Sequence, residues 1–270
     1  MSSPSVLPEP PADALADDHR FARWAATVAG ELLLEVRTGG LEGRELKDAG
    51  DLASHELLMK LFAAHRPDDA VLSEEGKDDK ARLENSRVWI VDPLDGTREF
   101  SEEGRADWAV HVALWTADSS SPSHLTAGAV AMPAQHRTIA TDHPPAYPPM
   151  PPGDPRPIRI AASRTRPPAF VTALAEELGA ELVPMGSAGV KIAAVINGEA
   201  DAYVHAGGQY EWDSAAPVAV ALATGLHASR IDGSTLKYNQ SDPKLPDLVV
   251  CRKDLAPRLL AALQRHLPSE

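Results

Sequence analysis

The chain carries one cysteine, Cys251, among 270 residues. That excludes an internal disulfide and a zinc site built from several thiolates. Cys251 closes the apolar run Leu248 to Cys251, which predicts a buried strand residue rather than a catalytic thiol. Basic residues are also scarce: 26 Lys and Arg stand against 39 Asp and Glu, a formal net charge of −13. With no basic cluster interleaved with aromatics, neither a nucleic-acid polymer nor a membrane surface is the expected partner. No apolar run approaches the roughly 18 residues of a membrane span. The opening residues, MSSPSVLPEPPADA, hold neither a charged n-region nor an apolar h-region. No signal peptide is therefore expected, and a reducing cytoplasm is the default location. The excess of acid has a chemical corollary: if the substrate is an anion, bound cations must reverse the local field.

What is present is an ordinary apolar fraction, 43%, enough for a sizeable core. The length fits one large domain or two small ones. Residues 1–12 are rich in Pro and Ser and read as a disordered tail. Helical spacing of Phe21, Trp24, Val28, Leu32 and Leu33 predicts a helix over 17–37. A second helix is expected over 51–65, with Asp51, after Gly50, at or just before its start. Strands over 70–72, 88–91, 108–115, 127–132 and 138–141, with short connections, predict an antiparallel sheet in the first half. The segment 143–157, HPPAYPPMPPGDPRP, is too proline-dense for a helix or central strand. It reads as a loop or boundary, with a partner-binding polyproline segment as the weaker option. Beyond it, strands over 158–162, 182–185, 202–205, 227–229 and 248–251 alternate with helices over 168–178, 188–197, 214–224 and 255–266, an α/β layer with a mixed sheet. The expected organisation is a tail at 1–12, an α+β half at 13–156 and an α/β half at 157–270.

The most informative segment is Val88 to Phe100, VWIVDPLDGTREF. A strand-like run ends in Asp92 and Asp95, separated by Pro93 and Leu94. Two carboxylates on one tight turn can point into one space, where they repel unless a cation separates them. Gly96 and Thr97, a glycine and a hydroxyl, suit a phosphate approaching the backbone. Alone, the segment fits a solvated Asp-Gly turn as readily as a metal site. Three other acidic positions tip the balance. Glu74 and Glu75 close a short strand, Asp51 opens a helix, and Asp213 in EWDSAA precedes an Ala/Val-rich helix. Each could be a helix cap or a solvated acid. Yet all sit at ends of regular elements, and none has a Lys or Arg partner at helical spacing. Hard oxygen ligands without Cys or His point to Mg²⁺.

The series D…EE…DPLDGT…WDSAA resembles the motif of the lithium-sensitive, Mg²⁺-dependent phosphatase superfamily, over nearly the whole chain. Inositol monophosphatases, fructose-1,6-bisphosphatases and 3′(2′),5′-bisphosphate nucleotidases belong to it. The resemblance implies a layered αβαβα sugar-phosphatase fold and two or three Mg²⁺ ions. Glu74, Asp92 and the Leu94 carbonyl would hold the first ion. Asp92, Asp95 and Asp213 would hold the second, and Glu74, through waters, would help hold a third. Glu75 would contribute indirectly. Asp51 and Thr97 would be the catalytic pair, Asp51 accepting from the Thr97 hydroxyl that orients the attacking water. The Gly96 and Thr97 amides would hold phosphate oxygens. The approach to the first acid, Leu46-Lys47-Asp48-Ala49-Gly50-Asp51, departs from the pattern and makes Asp48 a rival to Asp51.

Substrate choice rests on two further segments. Ala161-Ala162-Ser163-Arg164-Thr165 resembles the Ser-Arg-Ser-His element of bisphosphate nucleotidases, with Thr165 and Arg166 replacing Ser and His. Ser163 and Arg164 would contact the nucleotide and its non-scissile phosphate. Gly186-Ser187-Ala188-Gly189-Val190-Lys191 matches the same branch, and Lys191 would face a substrate phosphate; the plain alternative is a solvated lysine. The expected reaction is hydrolysis of the 3′-phosphate of 3′-phosphoadenosine 5′-phosphate, as in sulfate assimilation. The alternative is an inositol monophosphatase or fructose-1,6-bisphosphatase on the same metal site. The resemblance also implies lithium inhibition, and homodimers are common among proteins of this kind, although the sequence shows no decisive interface stripe.

Overall fold

Two five-stranded sheets separate three helical layers. The computed structural model describes residues 7–149, 155–165 and 167–266. The chain opens with a short helix, α1 (Ala12–Ala16), then α2 (Asp18–Arg37) and α3 (Gly43–His65). Asp17 caps α2, its carboxylate accepting from His19 N at 2.8 Å and Arg20 N at 3.2 Å. The buried face of α2 carries Phe21, Ala22, Ala25, Ala26, Ala29 and Leu33, and its alanines let the helix lie close on the first sheet.

That sheet runs in order β1 (Ala70–Ser73), β2 (Arg87–Asp95), β3 (Ala109–Thr116), β4 (Leu125–Met132) and β5 (Arg137–Ala140). From β2 to β5 the pairing is antiparallel, as expected. The first pair corrects the expectation: β1 runs parallel to β2, from Ala70 beside Val88 to Ser73 beside Val91, so the sheet is mixed. The reason is the crossover after Ser73, which contains a 3₁₀ turn over Lys80–Glu84 and returns the chain to the same end of the sheet.

A short helix, α4 (Thr97–Ser101), follows β2. The second sheet holds β6 (Arg159–Ser163), β7 (Glu181–Met185), β8 (Ala202–Tyr210), β9 (His227–Ser229) and β10 (Lys244–Cys251) in the order β7-β6-β8-β10-β9. It is parallel from β7 to β8 and antiparallel from β8 to β9, a mixed sheet as expected. Its helices are α5 (Ala169–Leu178), α6 (Ala188–Ile196), α7 (Glu211–Thr224) and α8 (Ala256–His266).

Three cores fill the layers. One joins α2 and α3 to the outer face of the first sheet through Trp89, Val91, Phe21 and Phe62. The second lies between the sheets and contains α6 and α7, packed against Val88 and Ile90 on one side and Tyr203, Leu248 and Val250 on the other. The third joins α5 and α8 to the far face of the second sheet through Ile160, Val249 and Cys251. The alternation of Val88 and Ile90 with Trp89 and Val91 between two cores is the strand period of two at work. The layering is therefore αβαβα.

Of the expected tail, residues 1–6 lie outside the described residues; Leu7 packs on the first core, and α1 already begins at Ala12. Of the proline-rich segment, 150–154 lie outside the described residues. Its preceding part is tied to the second half: Lys253 N donates to Tyr147 Oη at 3.0 Å and Arg252 donates to Pro148 O at 2.7 Å.

Candidate active site

In a regular strand, residues three apart face opposite sides, so Asp92 and Asp95 should diverge. They do not, because β2 bulges between them: Asp92 sits opposite His111, while Asp95 sits opposite Ala109. The additional residue in the Pro93-Leu94 stretch turns both carboxylates inward. Asp92 is 1% exposed and Asp95 8%. Parallel pairing places Glu74 beside Asp92, since Ser73 lies beside Val91 and Glu74 N donates to Val91 O at 3.3 Å.

Asp51 corrects the helix boundary. It lies well inside α3, which begins at Gly43. Gly50 is there for close approach rather than as the residue before a helix start: a Cβ would sit 2.6 Å from Phe100 Cε1 and 2.9 Å from Leu94 Cδ2. That contact presses α3 onto the β2–α4 turn. Thr97 Oγ1 consequently stands 3.4 Å from Asp51 Oδ1 and 3.1 Å from Leu94 O, able to donate to either. Asp48 is instead mostly exposed and pairs with Arg44 at 3.5 Å, which leaves Asp51 as the acid at Thr97.

Asp213 is also repositioned. It is the third residue of α7, not the residue before it, and accepts from Tyr210 N at 2.7 Å in a capping box. Asp95 Oδ2 accepts from Ser187 Oγ at 2.5 Å and from Gly189 N at 2.7 Å, which ties the cluster to the start of α6.

The electrostatics follow from crowding. Burial, then the charges of Glu74, Asp95 and Asp213, raise Asp92 well above the usual carboxylate range. Burial and the Asp95 charge push Asp213 up to about 7. Burial and the Glu75 charge push Asp51 up to about 6, against the Thr97 hydrogen bond. Glu74 is raised by desolvation of its carboxyl and by Asp213, although more than a third of the residue remains open to solvent. Acids so arranged favour either protons or a divalent cation.

His111 is a member that sequence reasoning missed. It is fully buried on β3. Its Nδ1–H donates to Trp212 O at 3.1 Å, so Nε2 faces Asp95 Oδ2 at 3.3 Å without a hydrogen-bond partner. Asp92, Asp95 and His111 offer ligand atoms within 4.8 Å of one another, a buried cluster able to hold a metal ion. The only signal in the sequence is a lone polar residue within the apolar run Ala109-Val110-His111-Val112-Ala113.

The expected substrate residues are placed less uniformly. Lys191 is not a solvated lysine: it is 7% exposed, and its Nζ donates to Ser187 O at 2.7 Å and Gly186 O at 3.2 Å. Burial lowers its pKa, opposed first by the Asp95 charge. Ser163 ends β6. Arg164 is engaged by carboxylates, donating to Glu99 Oε1 at 2.8 Å and Glu102 Oε1 at 3.0 Å. Those two acids lie just past the DGT turn and are further residues that sequence reasoning missed. Arg166 lies outside the described residues. Gly96 and Thr97 open α4, directly after Asp95.

A profile of the inositol monophosphatase family matches residues 17–143 and 158–267. The chain belongs to the inositol monophosphatase family. Within it, the chain is 53% identical over 237 residues to a protein of Mycobacterium bovis named 3′-phosphoadenosine 5′-phosphate phosphatase, covering 87% of this chain and 89% of that protein. A Mycobacterium leprae protein of the same name is 51% identical over 253 residues, 92% of this chain and 93% of its own length. Among solved structures, CysQ from Bacteroides thetaiotaomicron superposes with a TM-score of 0.71 at 25% identity, over 90% of this chain and 97% of that one. The αβαβα layering is thus the fold of this family.

Proposed function

We propose that the protein is a metal-dependent phosphomonoesterase that hydrolyses the 3′-phosphate of 3′-phosphoadenosine 5′-phosphate to give AMP and phosphate. What carries this reading is the half-identity, over about nine-tenths of the chain, to proteins named 3′-phosphoadenosine 5′-phosphate phosphatase. The donor set fits a hard cation. Glu74, Asp92, Asp95, Asp213 and the Leu94 carbonyl offer oxygen, and the orphaned His111 Nε2 marks unmet polarity behind Asp95. Those five oxygen donors would hold two or three Mg²⁺ ions. When bound, Mg²⁺ supplies charge neutralisation of the phosphate and acidifies water.

The chain's own residues supply the rest. Thr97, with its proton toward Asp51 or Leu94 O, keeps lone pairs free to orient a water. Asp51, raised to about 6, is tuned to take up a proton near neutrality. Backbone amides of Gly96 and Thr97 hold phosphate oxygens. Ser163, Arg164 and Lys191 border the nucleotide side, where Lys191 adds positive charge beneath the Gly186–Ser187 backbone. The raised carboxyls make the site's charge state sensitive to the bound cation, which suits an anionic substrate.

The enzyme acts in the cytoplasm on this reading, and no helix among the described residues is long and apolar enough to cross a membrane. The homodimer is part of the proposal; light scattering should give twice the 28.8 kDa chain mass. The test of substrate is a side-by-side panel of kcat/KM with 3′-phosphoadenosine 5′-phosphate, inositol 1-phosphate and fructose 1,6-bisphosphate, with Mg²⁺ and with EDTA. The bisphosphonucleotide should be preferred, and only with Mg²⁺. A preference for either sugar phosphate would replace it with the alternative reading.

A further inference from the structure

Glu74 and Asp213 reach the cluster from different elements, so something must hold their separation. The loop 239–243 lies between those elements. On one side, Glu211 on α7 grips it. Asn239 N donates to Glu211 Oε2 at 2.6 Å, Gln240 N to Oε1 at 2.8 Å, and Glu211 N donates to Pro243 O at 2.8 Å. On the other side, Arg82, on the crossover that follows Glu74 and Glu75, donates to Asn239 Oδ1 at 2.5 Å and to Gln240 O at 2.7 Å. Asp78 steadies Arg82 at 2.7 Å, and Lys80 Nζ donates to Ser241 O at 2.7 Å.

Two features mark this as a built device. Glu211 is 1% exposed and Arg82 2%, and buried charges are retained only when fully partnered. Asn239 holds φ at +59°, a left-handed conformation that aims two successive amides at one carboxylate. The charges of Arg82 and Glu211 are thus connected through the loop rather than by direct contact. One end of the connection is anchored two residues before Asp213, the other on the segment leaving Glu74.

We propose that Glu211, loop 239–243 and Arg82 form a clasp that sets the distance between Asp213 and Glu74, and so the affinity of the site for a divalent cation. Glu211 and Arg82 are positioning residues; neither touches substrate. The inference rests on the metal-site reading above, but not on the identity of the substrate. Partners that orient metal ligands typically govern about 10- to 100-fold in metal affinity.

The test uses the full-length protein and Mn²⁺ as probe, with bound ion read from the loss of the free Mn²⁺ EPR signal. Glu211→Gln keeps the shape but turns an amide N–H₂ against one backbone N–H. Arg82→Lys keeps the charge but loses the fork that reaches both Asn239 and Gln240. Each should weaken Mn²⁺ about tenfold or more. Each should raise the Mg²⁺ needed for half-maximal rate by a similar factor, while KM for the phosphoester at saturating Mg²⁺ stays near wild type. The double variant should fall short of the product of the two single effects, because both act through one loop. Leu259→Ala, in the distant third core, should lower Tm without moving the Mn²⁺ constant. If Glu211→Gln fails to fold, Asn239→Gly carries the test, since glycine keeps the positive φ and only the Arg82 contact is lost. Mn²⁺ constants within about twofold of wild type in the folded variants would overturn the clasp, as would a wild-type protein that binds no Mn²⁺. A wild type that binds Mn²⁺ but ignores 3′-phosphoadenosine 5′-phosphate would overturn the substrate reading alone.

Discussion

Gly189→Ala is the substitution whose cost the structure defines best. The added Cβ would overlap His111 Nε2 and come within 2.7 Å of Cε1 and 3.0 Å of Cδ2. Carbon contacts are comfortable at about 3.5–4.0 Å. The ring cannot retreat: it is fully buried, its Nδ1 is tied to Trp212 O at 3.1 Å, and Asp92 Oδ2 stands 3.9 Å away. It is therefore α6 that must shift, at an overpacking cost of about 1–3 kcal/mol. The same shift stretches the 2.7 Å bond from Gly189 N to Asp95 Oδ2, and a hydrogen bond to a charged group contributes about 1.5–3 kcal/mol. At about 2–4 °C per kcal/mol for a chain approaching this size, Tm should fall by at least several degrees. The Mg²⁺ concentration for half-maximal rate should rise with it, because Asp95 is displaced. Calorimetry and a phosphate-release titration read the two effects. A Tm and a Mg²⁺ response both unchanged from wild type would refute the packing argument around His111.

Other perturbations separate the roles of the remaining residues. Thr97→Ala should lower kcat by about 100-fold or more and KM little, within the range for a lost proton-handling group; a pure KM effect would contradict an orienting role. Asp95→Asn should nearly abolish turnover while circular dichroism stays native, since the amide oxygen can still accept from Ser187 and Gly189 while the charged metal ligand is lost. Turnover retained at saturating Mg²⁺ would contradict it. In EDTA, stability should fall as pH rises. Asp213 is raised from 3.8 to about 7 in the fold, so the folded state holds its proton more tightly than the unfolded chain does. The penalty is absent below about pH 4, grows as pH climbs, and is complete above about 7, on the order of 4 kcal/mol. Mg²⁺ should therefore raise Tm more at pH 8 than at pH 5, and an equal gain at both would count against the raised carboxyl. Li⁺ should inhibit phosphate release, and an insensitive enzyme would weaken the likeness at the metal site.

Local chemistry made much of the site readable. The DPLDGT turn, the paired glutamates and the WDSAA helix start are short segments whose acids lack local counterions, and such patterns survive without knowledge of tertiary contacts. Phe21, Leu33 and Val36 on α2 obey a period that any buried helix face must follow. What escaped reading depends on distant partners. Gly50 looks like the residue before a helix start in a string of letters, yet it lies within α3 as a contact point for Phe100 and Leu94. The parallel pairing of β1 follows from where the crossover returns, which no propensity encodes. His111 is one polar residue in an apolar strand until Asp92, Asp95 and Trp212 arrive around it. Lys191 and Arg164 carry the charge expected of substrate contacts. Arg164's partners, Glu99 and Glu102, come from a remote part of the chain, whereas Lys191 turns back onto Ser187 O at the start of its own helix, which becomes its setting only once that helix is buried.

The most direct test of the account is anomalous scattering from a crystal grown with Mn²⁺ in place of Mg²⁺. Peaks above the Mn edge should lie among the carboxylates of Glu74, Asp92, Asp95 and Asp213, and should vanish in an Asp95→Asn crystal. A fully formed lattice soaked in Mn²⁺ with no peak between those four side chains would contradict the metal site, and with it the chemistry assigned to Thr97 and Asp51.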